Sequence, residues 1–185
     1  LTGAILTEAK LDGARLSDAN LQQAKLSGAS LKNADLSNAQ LNGVDLSSAD
    51  LTESNLNAAR LDETDLTDAN LNRANVKSAQ FHECRMGWTS LGGIDFSGAF
   101  GLDSIIHLAP NSLGIDSLLQ SQGKLPEPFL RGCGVPADWA NTVVNPAQRF
   151  RFRHRVEKHE PAVRAAEIFI AVFPDEAFAR ISLAN

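Results

Sequence analysis

Residues 31–60 read LKNADLSNAQLNGVDLSSADLTESNLNAAR, with leucine at every fifth position and a small residue two places before almost every leucine. The same period extends outward in both directions, from Leu1 to Phe96. After Leu71 the leucine position is filled by Val76, Phe81, Met86, Leu91 and Phe96. A strict internal repeat has to be explained before any other feature, because a missed repeat leads to the wrong fold.

A period of five excludes the two ordinary secondary structures. In an α-helix a step of five residues rotates the side chain by about 140°, so the leucines would not form one apolar stripe. In a flat strand an odd period sends alternate leucines to opposite faces. The chain must therefore bend once per repeat, with the leucine and the small residue inward and three polar positions facing water. This pattern predicts a solenoid.

Individual units resemble a known motif. Ala34-Asp35-Leu36-Ser37-Asn38 and Ala69-Asn70-Leu71-Asn72-Arg73 are similar to the A(D/N)LXX motif of pentapeptide-repeat proteins. The resemblance implies an all-β solenoid, a right-handed quadrilateral β-helix with four pentads per coil. Residues 1–100 would then form about five coils and a rod about 24 Å long. The predicted core positions are Leu31, Leu36, Leu46, Leu51, Leu56, Leu66, Leu71, Phe81 and Phe96.

The regular repeats are predicted to end near residue 100. Residues 101–144 are predicted to form a small helical cap or linker: a short helix or turn over 102–108, a helix capped by Ser112, and helices opening at Pro126 and Pro136. A solenoid end exposes strand edges and apolar side chains, so it needs a cap. A homodimer formed through the rod end or the cap is a further expectation. Residues 145–185 are predicted to be an irregular tail, the truncated or divergent start of another domain.

Residues 114–136, GIDSLLQSQGKLPEPFLRGCGVP, carry a second resemblance. They are similar to the GIDT…GKIPEVFLRGAGVP linker that joins pentapeptide repeats to a TIR (Toll/interleukin receptor) domain in certain bacterial proteins. The resemblance implies the targeting or sensor arm of a bacterial TIR-type signalling protein. The alternative is a fragment of a TIR-domain NAD-consuming enzyme that lacks its active site. Too few residues follow Val144 for a TIR domain, which needs about 100–150.

The charge balance is uneven along the chain. Residues 1–100 hold 13 acidic and 8 basic residues, whereas residues 101–185 hold nine of each. The densest acidic stretch, with one further acid, is the candidate interaction surface: Asp45, Asp62, Glu63, Asp65 and Asp68. One interpretation is a surface kept soluble by its charge. The other is mimicry of DNA toward topoisomerases, which some pentapeptide-repeat proteins perform. The basic residues Lys25, Arg60, Arg73 and Arg85 are expected to interrupt the acidic ladder and so favour a scaffold.

The sequence shows little sign of catalytic chemistry. No phosphate-binding loop occurs, and the repeat register turns His82 outward but Cys84 inward, which argues against a metal pair. We therefore expect no catalytic residue, no cofactor and no metal, and a non-enzymatic scaffold or protein–protein interaction module with a protein partner. The run Arg149–Arg155 alternates arginine with Phe150 and Phe152. It predicts a solvated strand or a linker, with nucleic-acid binding by stacking as the alternative.

Location is predicted from composition alone. No apolar run approaches the 18 residues of a membrane span. Two cysteines, Cys84 and Cys133, do not form the framework of a disulfide-rich secreted protein. These observations predict a cytoplasmic protein that does not enter a membrane.

Overall fold

In the computed structural model, the structure describes residues 1–137 and Ala140. Parallel backbone bridges join residues twenty apart, from Ile5–Lys25 near the start to Gln80–Phe100. The first three coils are each bridged four times to the next coil, once per pentad, so the solenoid has four sides. The period of five and the step of twenty predicted from the sequence are both present.

The corners explain the polar part of the repeat. At the corners of residues 1–80 the carbonyl at the leucine position accepts a hydrogen bond from the N–H three residues later, as from Ala34 to Leu31 at 3.1 Å. The residue before that donor has a left-handed backbone, for example Asn33 at φ 56°, which asparagine and glycine tolerate best. Asp35, the residue before the next leucine, accepts a hydrogen bond through Oδ1 from the N–H of Ser37 at 3.1 Å. This Asx turn is the physical reason for aspartate or asparagine at that position.

The interior of the solenoid is one continuous core of inward leucines and small residues. All nine predicted core positions, from Leu31 to Phe96, are buried with at most 2% of their surface exposed. Coil 1, residues 1–20, is the exception: Leu1 is 63% exposed, and Leu6, Leu11 and Leu16 are only partly buried. From residue 21 onward each coil is covered on both sides.

Four polar residues, Ser54, Thr64, Cys84 and Thr89, replace the usual alanine in the core. The buried Ser54 hydroxyl has no hydrogen-bond partner among the described residues, whereas the other three are hydrogen-bonded. The Thr64 hydroxyl, the Cys84 thiol and the Thr89 hydroxyl donate to the carbonyls of Leu41, Leu61 and Leu66 at 2.7, 2.7 and 2.9 Å. A buried polar group is tolerated when it is satisfied in this way. Burial raises the pKa of the Cys84 thiol far above its usual value, so it stays protonated.

Parallel backbone pairing continues beyond residue 100, although the bridges with a step of twenty end at Phe100. Strand β1 (Arg85–Met86) pairs in parallel with β3 (Ile106–His107), and β2 (Ser90–Leu91) pairs with β4 (Ser112–Leu113). A 3-10 turn, Leu102–Ser104, precedes β3. Arg85 lies opposite Ile106 and Ser90 opposite Ser112, so the step grows from twenty to 21 and 22. Because pairing uses backbone groups, the turns can absorb the extra residues after the leucine period is lost.

Two short helices follow. Helix α1 spans Ile115–Gln120 and α2 spans Glu127–Gly132. The residue before α1 is Gly114, whereas the predicted cap, Ser112, lies in β4. Pro126 precedes α2, close to its predicted place in the first turn.

Both helical segments contact the last coil. The Phe129 ring lies 5.4 Å from that of Phe96 and 5.9 Å from that of His107. Ser117 Oγ donates to the Leu91 carbonyl at 2.6 Å, and Ser121 Oγ accepts from the Phe96 N–H at 3.0 Å. That these helices protect the rod end from association stays a prediction.

Several predictions concern residues outside the described part of the chain. They are the helix opening at Pro136 beyond its first residues, the tail at 145–185 and the strand over Arg149–Arg155. Among the described helices none has the length and apolar character needed to cross a membrane.

Candidate interaction face

One side of the solenoid brings the predicted acidic residues together. Its central column stacks, in order, Ile5, Lys25, Asp45, Asp65, Arg85 and Ile106. The row of turns before this column holds Asp62 and Glu63, since the Gly43 N–H donates to the Asp62 carbonyl in the stack. The row of turns after it holds Asp68. We call this column with its two rows of turns the acidic face, and all five predicted surface residues lie on it.

The acidic face carries the whole net charge of the first 100 residues. Its acids are Glu8, Asp45, Asp62, Glu63, Asp65, Asp68 and Glu83, and its bases are Lys25 and Arg85. The remaining surface of these coils holds six acids and six bases. The net charge of −5 is therefore confined to one side, an asymmetry that the linear sequence does not show.

Four basic residues were expected to interrupt the acidic ladder, and this prediction is wrong for two of them. Arg60 stacks between Gln40 and Gln80 in the neighbouring column. Arg73 lies at another corner and pairs with Glu53 at 3.2 Å. Of the basic residues at positions 1–100, Lys25 and Arg85 alone lie on the acidic face, at the two ends of the Asp45–Asp65 pair.

The acids of this face have no cationic partner in the described residues. The ion pairs found there are Lys32–Asp50, Arg73–Glu53 and Arg131–Glu127, none of which lies on the face. For Asp50, hydrogen bonds from Thr52 and Lys32 outweigh its burial and hold its pKa below the usual value. Asp50 and Glu53 elsewhere on the rod are thus paired with a cation, whereas the acids of the acidic face are available to a partner.

Asp45 and Asp65 also close the corners that follow them. Asp45 Oδ1 accepts hydrogen bonds from the Ser47 N–H at 3.1 Å and the Ser47 hydroxyl at 2.6 Å. Asp65 Oδ1 accepts from the Thr67 N–H at 3.0 Å. Asn55 does the same for the N–H of Asn57 at 3.2 Å. The structural role therefore does not require a charge, and the second carboxylate oxygen of each aspartate remains for another use.

The other acids are held more loosely. Asp62 Oδ2 accepts from the Asn42 amide at 3.0 Å, and Asp68 Oδ2 accepts from the Ser48 hydroxyl at 3.2 Å. Glu63 and Glu83 occupy successive turns and are exposed. A shallow groove runs along the face from Gln23 to Ile106 past these glutamates. The face is an open surface and not a pocket, so it suits a macromolecule better than a small molecule.

An apolar patch borders the acidic face at its C-terminal end. Trp88 is 67% exposed, Leu108 58% and Ile106 45%. We did not identify these residues from the sequence. The sequence did carry a signal for Trp88. It fills a turn position that faces water in the rest of the repeats. Glu83 was not predicted either. It becomes a neighbour of Glu63 only because residues twenty apart stack on each other.

The histidines and cysteines in the described part of the chain differ in exposure. His82 is exposed while Cys84 is buried, as the register predicted. Burial raises the pKa of the Cys133 thiol to about 12 and lowers that of His107. Within residues 1–137 and Ala140, no three His, Cys, Asp or Glu are grouped to hold a metal ion.

Comparison with known proteins gives a family match over the repeats. A family model described as pentapeptide repeats matches eight copies within residues 1–23, 14–52, 49–87 and 59–98. No curated protein matches the chain.

Several solved structures are similar to it. A pentapeptide-repeat protein of the Arabidopsis thaliana thylakoid lumen is 32% identical over 53% of this chain and 65% of its own, with a TM-score of 0.43. A pentapeptide-repeat protein from Nostoc Pcc 7120 is 35% identical over 45% and 69%, with a TM-score of 0.45. The plasmid-mediated fluoroquinolone resistance protein QnrB1 is 18% identical over 60% and 71%, with a TM-score of 0.31. The chain thus spans slightly less than two thirds of the Arabidopsis protein.

Proposed function

This chain belongs to the pentapeptide-repeat family, and we propose that it is a scaffold or protein–protein interaction module whose contact surface is the acidic face. Proteins of this family fold as right-handed β-helix solenoids and are generally non-enzymatic structural or interaction proteins. The observation that carries the proposal is the confinement of the net charge of −5 to one bridge column of four and the two rows of turns beside it. If the charge served only to keep the protein soluble, it would not have to be concentrated on one face.

The chemistry of the face indicates a basic protein surface as its partner. Acidic residues that are not held in ion pairs attract a complementary patch, speed its approach and fix its orientation. The rigidity of the stack also favours binding, because little side-chain or loop order has to be gained on association. The Asx turns hold Asp45 and Asp65 in place before a partner arrives.

The experiment compares two variants of equal charge. In the first, Asp45, Asp62, Asp65 and Asp68 become Asn and Glu63 becomes Gln. In the second, five acids from other sides are neutralised in the same way: Asp12, Asp18, Asp35, Glu53 and Asp95. Proximity labelling in the source cells should lose the recovered partner with the first variant and keep it with the second. Equal loss with both would show that net charge and not the acidic face is what matters.

A second candidate is DNA mimicry toward a topoisomerase, and the same asymmetry favours it. Between Lys25 and Arg85 the face presents Asp45 and Asp65 without an intervening cation, and the turns beside Asp65 are acidic. A mimic would inhibit DNA supercoiling by a topoisomerase at low micromolar concentration. If inhibition occurs and disappears when Asp45, Asp62, Glu63 and Asp65 are neutralised, the DNA-mimic proposal would replace the scaffold proposal. We expect no inhibition, because Lys25 and Arg85 limit the acidic run to about two coils.

We further propose a cytoplasmic protein that serves as the targeting or sensor arm of a bacterial TIR-type signalling protein. The support is the resemblance of residues 114–136 to a TIR-linked segment. In the structure this segment forms α1 and α2 against the last coil. Turnover of NAD by the purified chain would instead favour a fragment of an NAD-consuming enzyme. Sedimentation velocity would test the proposed homodimer through the rod end.

A further inference from the structure

We infer that the acidic face and the apolar patch next to it form one docking surface for a basic amphipathic α-helix that carries an apolar anchor at one end. The inference rests on the proposed function and names the partner's chemistry and orientation. The surface is defined by Asp45 and Asp65 at one end and by Trp88, Ile106 and Leu108 at the other.

The two parts are continuous in the stack. Ile106 lies directly above Arg85 and Asp65 in the central column. Trp88 follows Asp68 in the adjoining row of turns, since the Asp68 N–H donates to the carbonyl of Gly87. Leu108 covers Gly87, where an added side-chain carbon would lie 3.4 Å from Leu108 Cβ. Charge therefore gives way to apolar surface within about two coils along the same face.

Trp88 is not explained by the stability of the fold. It is 67% exposed, so most of its ring buries no surface. Its backbone is left-handed at φ 55°, a conformation that disfavours bulky residues. The same turn position in the other pentads of residues 1–100 holds glycine, alanine or a polar or charged residue such as Asn33 or Glu63, and no second aromatic residue. A costly, exposed aromatic residue beside a charged face is typical of an interface anchor.

Spacing selects a helix as the partner. Successive coils are about 4.8 Å apart, so Asp65, Arg85 and Ile106 lie about 5, 10 and 14 Å along the rod from Asp45. Residues i, i+3, i+7 and i+10 share one side of an α-helix and lie at about 0, 4.5, 10.5 and 15 Å. In an extended strand, side chains on one side repeat every 6.6–6.8 Å or so and fall out of step. Nucleic acids and anionic membranes carry the wrong charge for this surface.

The probe is a synthetic helix-forming peptide of about 14 residues, built on alanine and glutamine. It has lysine at its second and fifth positions, to meet Asp45 and Asp65. Glutamate at its ninth position is placed to meet Arg85, and leucine at its twelfth position is placed to meet Ile106 and Leu108. These four positions follow the helical spacing that matches the rise of the coils.

Binding is followed by NMR while the peptide is titrated into the full chain. The indole N–H signal of Trp88 is assigned by comparison with a Trp88→Asn variant. We expect that signal to shift together with the backbone signals of Asp45 and Asp65, because one helix would cover both parts of the surface.

Three control peptides test the chemistry. One has alanine in place of the leucine at its twelfth position, one carries its lysines on the opposite side of the helix, and one has a central proline that prevents a helix. Each should bind about tenfold more weakly, a change of about 1.4 kcal/mol. Equal binding by the proline peptide would overturn the helical partner.

Variants of the protein separate the two parts of the surface. Asp45→Asn with Asp65→Asn, and Trp88→Asn with Leu108→Ser, should each weaken binding about tenfold. Phe100→Ser is the matched control, since Phe100 is 56% exposed but lies in the neighbouring column. It should leave binding within about twofold of wild type.

The outcomes distinguish the inference from the proposed function. If the aspartate variant weakens binding but the Trp88 and Leu108 variant does not, the acidic face stands and the apolar anchor is wrong. If the aspartate variant binds as tightly as wild type, the proposed function itself fails. Absence of any binding by the designed peptide would overturn the inference.

Discussion

The coils at residues 21–80 and the segment at 81–137 share one backbone pairing scheme but fill their interiors differently. In the regular coils, leucine and small residues repeat on all four sides, so each coil packs against a near copy of itself. In the later segment, individual large side chains have individual partners, as Phe96 has Phe129 and Phe129 has His107. Stability is therefore spread evenly in the first region and depends on a few contacts in the second.

The largest expected effect is a core truncation in the regular coils. Leu51 is fully buried between the coils below and above it. Replacing it by alanine should leave a cavity and lower the free energy of unfolding by about 2–5 kcal/mol in chemical denaturation. Gln40→Ala, at an exposed position in a bridge column, should stay within about 0.5 kcal/mol of wild type. Similar losses in both variants would contradict the inward register of leucine.

The regular coils could be predicted because one rule repeats. Leucine every fifth residue fixes which side chains point inward, and Asp35 or Asn55 before a leucine marks the corner. The later segment lacks such a rule. The steps of 21 and 22 that pair Arg85 with Ile106 and Ser90 with Ser112 follow from turn geometry, which the leucine period does not encode.

The candidate site was predictable only in part. Asp62, Glu63, Asp65 and Asp68 are neighbours in sequence, so their clustering was visible at once. The distribution of charge among four sides depends on the three-dimensional stack, which moved Arg60 and Arg73 away from the acids. The apolar patch depends on β3, which the sequence did not predict.

A smaller effect is expected where the later segment packs most closely. A side-chain carbon at Gly132 would overlap the ring of His107. Gly132→Ala should therefore lower the free energy of unfolding by about 1–3 kcal/mol, despite the better helix propensity of alanine. Gly98→Ala is the control, since its added carbon would lie 3.6 Å from Lys77 Cγ, an ordinary contact. A stabilised Gly132→Ala protein would show that α2 does not pack tightly on β3.

A weaker effect on stability, one that depends on pH, is expected from His107, which lies at the same contact. Burial lowers the pKa of His107, and its Nδ1 lies 2.9 Å from the Asn111 amide. The unfolded chain then binds more protons than the folded chain between the lowered pKa and the usual value near 6.5. The contribution of neutral His107 to the stability of the folded chain is therefore complete above about pH 6.5. It is lost as the pH falls through that window.

Thermal unfolding midpoints between about pH 7.5 and 5 would measure this loss. His107→Gln should flatten the pH dependence, whereas the exposed His82→Gln should keep that of wild type. An unchanged slope in His107→Gln would assign the effect to other groups.

The smallest effect on stability is expected at Trp88, where the regular corner meets the later segment. Asparagine is already used at the same turn position, with nearly the same left-handed backbone, at Asn33 and Asn38. Trp88→Asn should relieve backbone strain and lose only the minor buried part of the ring, so the two changes oppose each other. The free energy of unfolding should stay within about 1 kcal/mol of wild type, while peptide binding weakens. A loss comparable to that of Leu51→Ala would instead make Trp88 part of the core that joins the two regions, and would remove it from the docking surface.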